Sequence, residues 1–425
     1  MLDIKLIREN PEFVNKGLES KNVKNGIDEI IGLDSSRREK LQLVEELKAK
    51  RNSASQEIGK LKKNGQNADA IMAEMKQVGE EIKILDDELK EINENLQDKM
   101  KRLPNLPHLS VPIGKSAEDN VEVRQWLPEG FEKSPVEKPL NHLELGMKLG
   151  ILDFERGAKI SGSGFPVYVG KGATLERALI NFMLDYHIEN HGYKEIFPPF
   201  MVNSDSMYGT GQLPKMQEDM YYAERDDLYM IPTAEVPVTN LHRDEILNED
   251  QLPVNYVAYS ACFRREAGSY GKESKGFLRV HQFNKVEMVK IVNPEGSYNE
   301  LEKLVSDAQD ILQELKVPYR ILMLCSGDLS FSAAKCYDIE TWSPAENKWL
   351  EASSCSNFES FQARRANIKF RKKDDKKIEF VHTLNGSGLA TSRLMVSILE
   401  NNQTPEGKVI VPKVLQKYTG FNLIG

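Results

Sequence analysis

Between residues 71 and 96 the apolar positions fall at Ile71, Met75, Val78, Ile82, Leu85, Leu89, Ile92 and Leu96, stepping alternately by four and three. That spacing puts all of them on one seam of an α-helix, the heptad pattern of a coiled coil. A weaker copy of the seam, Val44, Leu47, Ala54, Ile58 and Leu61, precedes it, and the polar stretch 63–69, with Gly65 inside it, lies between. Two helices joined by so short a turn must fold back antiparallel, giving an arm of about 40 Å at about 1.5 Å per residue. No proline interrupts 37–102; the closely set Pro104, Pro107 and Pro112 then end the helical pattern. Domains are therefore expected over 1–110 and 111–425. In the second, apolar segments alternate between a period of two and a period of 3.6, as in a mixed α+β domain.

Charge sharpens the picture of the arm. Residues 37–63 carry nine Lys/Arg against four Asp/Glu, a net +5, whereas 69–98 carry three Lys against ten Asp/Glu, a net −7. The two helices attract each other, and the basic one also offers its cations to a phosphate backbone. Over all 425 residues the net charge is −8, which excludes a uniformly basic nucleic-acid binder but not a basic face. Hydrophobic residues make up 40% and charged ones 29%, a globular balance with surplus charge suited to long exposed helices. Cys262, Cys325, Cys336 and Cys355 lie far apart with no Cys-x-x-Cys pair, so neither a thiolate zinc site nor a disulfide framework is expected. The first ten residues are charged and lack a signal peptide's apolar run, which makes the cytoplasm the expected compartment.

Three later segments carry candidate chemistry. An amphipathic helix through Leu175, Leu179, Phe182 and Tyr186 breaks at Gly192, and 193–199 reads as a strand closed by Pro198 and Pro199, suited to a sheet edge. Residues 257–266 then read as a strand, 267–276 as a loop, and 277–290 as a returning strand. Because alternate strand residues share a face, Arg264 and Glu266 are expected to project together, as are Arg279, His281, Phe283, Lys285 and Glu287. An arginine fork matches phosphate or carboxylate, an aromatic ring offers a flat face to a base, and a carboxylate accepts from an amino group. Finally, Asn385-Gly386-Ser387-Gly388 reads as a glycine-rich turn before a helix that carries Arg393 in its first turn.

Taken in order, the strand with its prolines, Phe263-Arg264-Arg265-Glu266 and the glycine-rich segment with Arg393 resemble the three motifs of class II aminoacyl-tRNA synthetases. Thr233-Ala234-Glu235, His281-Gln282-Phe283-Asn284-Lys285-Val286-Glu287, Tyr337-Asp338-Ile339-Glu340, Ser353-Ser354-Cys355-Ser356-Asn357-Phe358 and Phe361-Gln362-Ala363-Arg364-Arg365 narrow the resemblance to the bacterial seryl-tRNA synthetase family. It spans the whole chain, arm included. The fold it implies is α+β, a helical hairpin followed by an antiparallel sheet flanked by helices.

The resemblance also implies a reaction and roles. Serine's carboxylate attacks the α-phosphate of ATP, and the resulting seryl-adenylate is passed to tRNA(Ser), with tRNA(Sec) a further acceptor where a host has one. No enzyme nucleophile is needed, in keeping with the absence of a Ser/His/Asp triad. Arg264 and Arg393 are the implied catalytic residues. Thr233, Ala234, Glu235, Arg264, Glu287, Asn385 and Ser387 are implied for serine. For ATP the implied set is Arg264, Arg265, Glu266, Arg279, Phe283, Glu351, Ala352, Ser353, Ser354 and Arg393, with Phe283 and Arg393 stacking the adenine. Glu351 and Ser354 are implied ligands of ATP-bound Mg²⁺, and no zinc is expected. His281, although inside a motif, reads as structural. The arm resembles the family's tRNA-binding arm, which grips the long variable arm of serine tRNAs across a homodimer. Two rival readings stand beside this one: an ATP-using ligase that loads a carrier protein, whose relatives lack the arm, and a non-catalytic RNA-binding descendant, from which Arg264, Glu287 or Arg393 would have been lost.

Overall fold

A computed structural model describes residues 1–23, 26–267 and 276–425. They form two compact units, Met1–Pro104 and Asn105–Gly425. In the first, helices α1 (Asp28–Lys63) and α2 (Asp69–Arg102) run antiparallel from the turn at 64–68. The heptad seam is the buried stripe: Val78, Ile82, Leu89 and Leu96 of α2 and Val44 of α1 are each under a tenth exposed. Across the pair Lys40 meets Glu88 at 2.6 Å, Lys48 meets Asp86 at 3.2 Å and Lys50 meets Glu74 at 2.6 Å. Such half-exposed pairs contribute at most about 1 kcal/mol each, so the apolar seam does most to hold the helices together.

In the second unit Asn105 donates from Nδ2 to the carbonyls of Ser332 and Phe358, which places 105–110 at the start of this unit's chain. The unit is organised by a sheet with eight strands among the described residues: β1 (Val121–Trp126), β2 (Lys194–Glu195), β3 (Val254–Phe263), β4 (Gln282–Val292), β5 (Tyr319–Met323), β6 (Lys335–Ser343), β7 (Lys348–Asn357) and β8 (His382–Ala390). Their order is β1-β5-β6-β7-β8-β4-β3-β2. All neighbours are antiparallel except β2, which joins β3 in parallel at the edge, where Pro198 and Pro199 cost no ladder bonds. Five helices matter for the site: α3 (His142–Lys148), α4 (Lys171–His191), α5 (Glu235–Asn240), α6 (Ser297–Glu314) and α7 (Phe361–Ala366); a sixth, α8 (Thr391–Asn401), follows β8 directly.

The central strands sort their side chains by parity. On β4, Val286 and Met288 enter the core with Leu175, Leu179 and Met183 of α4, whereas Phe283, Lys285 and Glu287 face the other way. On β8, Asn385 and Ser387 share that second face.

Here the structure corrects one reading. Gly386 and Gly388 belong to strand β8, not to a turn. They point toward the helices: a Cβ at Gly386 would meet Leu304 of α6 at 3.1 Å, and one at Gly388 would meet His187 Nε2 of α4 at 2.6 Å. These glycines let helices lie close on the back of the sheet.

A second correction concerns strand ends. β3 stops at Phe263 and β4 begins at Gln282, so Arg264, Arg265, Glu266, Arg279 and His281 lie in the connection. Phe277 falls in a 3₁₀ turn, Gly276–Leu278. The Arg264 N–H donates to the His281 carbonyl, His281 Nδ1 donates back to the Arg264 carbonyl, and the Arg265 N–H donates to the Asp219 carbonyl. These bonds, rather than a ladder, orient the pair of arginines, and they give His281 the structural part read from the sequence. Glu266 sits at φ +52°, in the left-handed region. Residues 268–275 of the expected loop lie outside the described residues.

Candidate active site

The polar face of β4, β7 and β8 floors a cleft of about 330 Å³, within the range of small-ligand sites. Thr233, Glu235, Arg264, Glu266, Phe283, Glu351, Ala352, Ser353, Ser354, Asn385, Ser387 and Arg393 all line it. Four members of the sequence-derived set stand apart. Glu287 lies buried behind the lining, in contact with Lys285, Asn385 and Ser387, which do line the cleft. Ala234 is packed in the core against Val238, Ala258 and Val289. Arg265 lines the adjoining groove with Asp219 and Tyr222. Arg279 reaches the cleft through Glu266, which accepts from its Nη1 at 2.8 Å.

At one end lies a carboxylate pocket. Glu287, 1% exposed, takes the Lys285 ammonium on Oε2 at 2.6 Å, Asn385 Nδ2 on Oε1 at 2.9 Å and Ser387 Oγ on Oε2 at 3.4 Å. A buried charge needs such partners, and Glu287 has one cation and two neutral donors. Glu235 lies beside it at the start of α5. Burial, and then the charge of Glu287, push the Glu235 carboxyl up to about 7, against a 2.6 Å hydrogen bond from Gln362 Nε2 that favours the ionised form. Gln362 is aimed by its own acceptor: Thr383 Oγ1 donates to its Oε1 at 2.7 Å. The result is a concentration of negative potential suited to an ammonium group.

At the other end cations dominate. The Arg264 guanidinium stacks 5.2 Å from the Phe283 ring centroid and pairs with no carboxylate among the described residues, leaving its fork for an anion. Arg393, third residue of α8, donates from Nη2 to the Leu278 carbonyl at 2.7 Å and from Nη1 to the Glu351 carbonyl at 3.2 Å. Burial lowers the pKa of this guanidinium while the Glu351 charge supports it.

Between the ends, Asp338 on β6 stands opposite Ser354 on β7. Burial and the Glu351 charge hold the Asp338 carboxyl well above its ordinary range. Two carboxyls in mutual repulsion beside a serine hydroxyl form an oxygen-donor set whose strain a divalent cation would relieve.

Lys285, Gln362 and Asp338 lie within the motifs of the sequence, and the structure adds them to the site. Lys285 had a signal, its period-two place between Phe283 and Glu287. The others act on partners more than a dozen residues away, which no local pattern reveals.

Comparison with known proteins identifies the family. The family model described as the seryl-tRNA synthetase N-terminal domain matches residues 1–107, and that of the tRNA synthetase class II core domain (G, H, P, S and T) matches 219–402. The chain is 62% identical to a serine–tRNA ligase of Chloroherpeton thalassium, over the whole of both chains. Among solved structures, seryl-tRNA synthetase from Pyrococcus horikoshii complexed with ATP matches with a TM-score of 0.93 and 43% identity, covering 100% of this chain and 99% of that one. Cytoplasmic serine–tRNA ligase from Naegleria fowleri, in complex with AMP, matches at 0.89 and 30%, covering 100% and 98%. With both family models matched in order and the full length aligned to such relatives, the chain belongs to the seryl-tRNA synthetase family of class II aminoacyl-tRNA synthetases.

Proposed function

We propose that the chain is a serine–tRNA ligase that activates L-serine with ATP and transfers it to tRNA(Ser), and to tRNA(Sec) where the host has one. The observation that carries this reading is the convergence of an unpaired arginine fork, an aromatic plate and a buried carboxylate pair in one cleft. In the first step a serine carboxylate oxygen bonds to the α-phosphorus of ATP and pyrophosphate leaves. In the second, the terminal ribose hydroxyl of tRNA attacks the seryl carbonyl and AMP leaves. Catalysis rests on alignment and on neutralising charge that develops at phosphorus.

Arg264 bridges serine's carboxylate and the α-phosphate. Glu266 accepts from the adenine amino group, and Arg279, held by Glu266, meets the phosphates. Phe283 and Arg393 take the adenine between them by stacking and cation–π attraction. Thr233 and Glu235 receive serine's ammonium, and Glu287, closed in by Asn385 and Ser387, its hydroxyl. Glu351 and Ser354 would hold Mg²⁺, with Asp338 beside them; the bound ion neutralises phosphate charge. The exposed Arg38, Arg51, Lys60, Lys62 and Lys63 of α1, which form no ion pair among the described residues, offer their cations to the tRNA backbone, read by shape and phosphate contact. The same reading makes the enzyme a cytoplasmic homodimer.

ATP–pyrophosphate exchange measured against all twenty amino acids tests the assignment. Serine alone is expected to support fast exchange; equal exchange with alanine, or none with serine, removes it. Exchange onto a carrier protein without tRNA charging would favour the rival ligase reading.

A pH dependence follows from Glu235. Its carboxyl, pushed up to about 7, is neutral below that pH and then lacks the charge that receives an ammonium. The KM for serine is therefore expected to rise about tenfold per unit as pH falls below about 7. Gln362→Leu removes a hydrogen bond that favours the ionised form, so the inflection should move to higher pH. A serine KM flat between pH 5.5 and 8 would take Glu235 out of the ammonium site.

A further inference from the structure

Arg393 is a half-buried residue at the start of α8, and something must hold its guanidinium over the cleft. Its Nη2 donates to the carbonyl of Leu278, the last residue of the 3₁₀ turn Gly276–Leu278. Nη1 also donates to the Glu351 carbonyl, but at 3.2 Å against 2.7 Å for Leu278, so the shorter bond of the hold is only as firm as that turn. A single tight turn with one wall in a ligand cleft has little intrinsic stability of its own.

The turn is gripped from behind by His142. This residue is the first of α3, set in place by a capping box in which Asn141 and Glu144 satisfy each other's backbone N–H groups. Its ring is 1% exposed. Nδ1 lies 3.0 Å from Glu400 Oε1, and Nε2 lies 3.2 Å from the Phe277 backbone nitrogen. The carboxylate accepts and the amide N–H donates, so the ring can satisfy both only as the neutral Nδ1–H tautomer. The aromatic rings of His142, Phe154 and Tyr168 surround Phe277 at centroid distances of 5.9, 5.4 and 5.3 Å. Gly276 is obligatory here, since φ is +64° and a Cβ would meet His142 Nε2 at 2.3 Å.

Glu400 closes the circuit. It is fully buried and is held by the His142 N–H at 3.0 Å, the Ser343 hydroxyl at 2.5 Å and the Ala345 N–H at 3.3 Å. It lies seven residues after Arg393 on α8, two turns along and on the same face. One helix therefore grips the Gly276–Leu278 turn twice, directly through Arg393 on the Leu278 carbonyl and indirectly through Glu400 and His142 on the Phe277 N–H.

We propose that His142 is a positioning residue of the nucleotide pocket, which fixes the Gly276–Leu278 turn from behind so that the Leu278 carbonyl can hold Arg393 at the height of the nucleotide base. This rests on the reading of Arg393 and Phe283 as the pair that stacks the base. It assigns His142 and Glu400 no contact with substrate.

The test compares two conservative variants. His142→Asn places an amide nitrogen where Nδ1 stood, keeping the bond to Glu400 while losing the acceptor for Phe277. His142→Gln is long enough to present Oε1 to the Phe277 N–H. In ATP–pyrophosphate exchange, H142N is expected to raise the KM for ATP about tenfold, the loss of one buried hydrogen bond, with the KM for serine changed less than about twofold. H142Q should recover most of that loss, and hydrogen exchange at the Phe277 amide should quicken in H142N alone. An ATP KM unchanged in H142N, or ATP and serine KM values rising together in both variants, overturns the proposal. Should H142N fail to fold, Glu400→Gln serves instead: its amide tolerates either ring tautomer, so it must raise the ATP KM in the same direction, and an unchanged value overturns the proposal equally. Failure of the stacking reading is read separately, as an Arg393→Ala variant with an unchanged ATP KM while the Phe277 amide still responds to H142N.

Discussion

Replacing Glu287 by alanine is expected to lower serine-dependent ATP–pyrophosphate exchange by about a hundredfold or more, because a pocket built around a hydroxyl is left with unpaired polar groups when its acceptor is removed. Three donors converge on this carboxylate: Lys285, Asn385 and Ser387. Lys285 is 6% exposed and has no other carboxylate in bonding reach among the described residues, so its ammonium would be stranded. The same logic accounts for the exclusion of alanine as a substrate, which would leave Glu287 without the hydroxyl. Threonine keeps that hydroxyl and has to be excluded by space alone. Glu287→Gln, which keeps side-chain volume and an acceptor for Asn385 while losing the charge opposite Lys285, separates loss of chemistry from loss of fold when its thermal midpoint is measured alongside. Exchange at the wild-type rate in the alanine variant would end the assignment of Glu287 to serine's hydroxyl.

Deleting residues 35–102 should leave serine activation within a few-fold of wild type while lowering tRNA charging by more than about a hundredfold, since the arm's cations supply phosphate contacts and not chemistry. Every residue that lines the cleft belongs to Asn105–Gly425, whereas the two arm helices lie in Met1–Pro104 and are held by their own seam. Exchange and aminoacylation assayed on the same truncated protein separate the two steps. Charging that survives the truncation would show that tRNA is gripped elsewhere. Charge reversal at Arg51, Lys60 and Lys62 offers a milder version, with a loss relative to wild type that is largest at low salt and shrinks as salt is raised.

The arm was readable because its information is local. Whether a residue lies on the seam depends on neighbours three and four places away, and the buried positions of α2 are the ones the heptad picks out. The polar face of β4 was readable for the same reason, with a period of two in place of 3.6. Strand limits were less so: Arg264 and Glu266 continue the alternation on paper, but the ladder ends at Phe263 and the chain turns through a left-handed residue. The glycines of β8 misled, because a missing side chain signals tight space without saying whose space. It was His187 of α4 and Leu304 of α6 that required it, not a turn.

By itself, then, the order of residues determined the hairpin, the α+β character of the remainder, the residue types of the site and the family they resemble. Those follow from periodicity and from motifs short enough to be read within one segment. Only the tertiary structure decided which groups meet: Lys285 and Asn385 on Glu287, Gln362 on Glu235, Asp338 beside Ser354, and Glu400 with His142 behind the Phe277 turn. The reason is physical. Hydrogen bonds and ion pairs act over about 3–4 Å of space, whatever the length of chain between the partners. In this chain the partners that tune the site are separated by as few as two residues and as many as 258, and no period connects them.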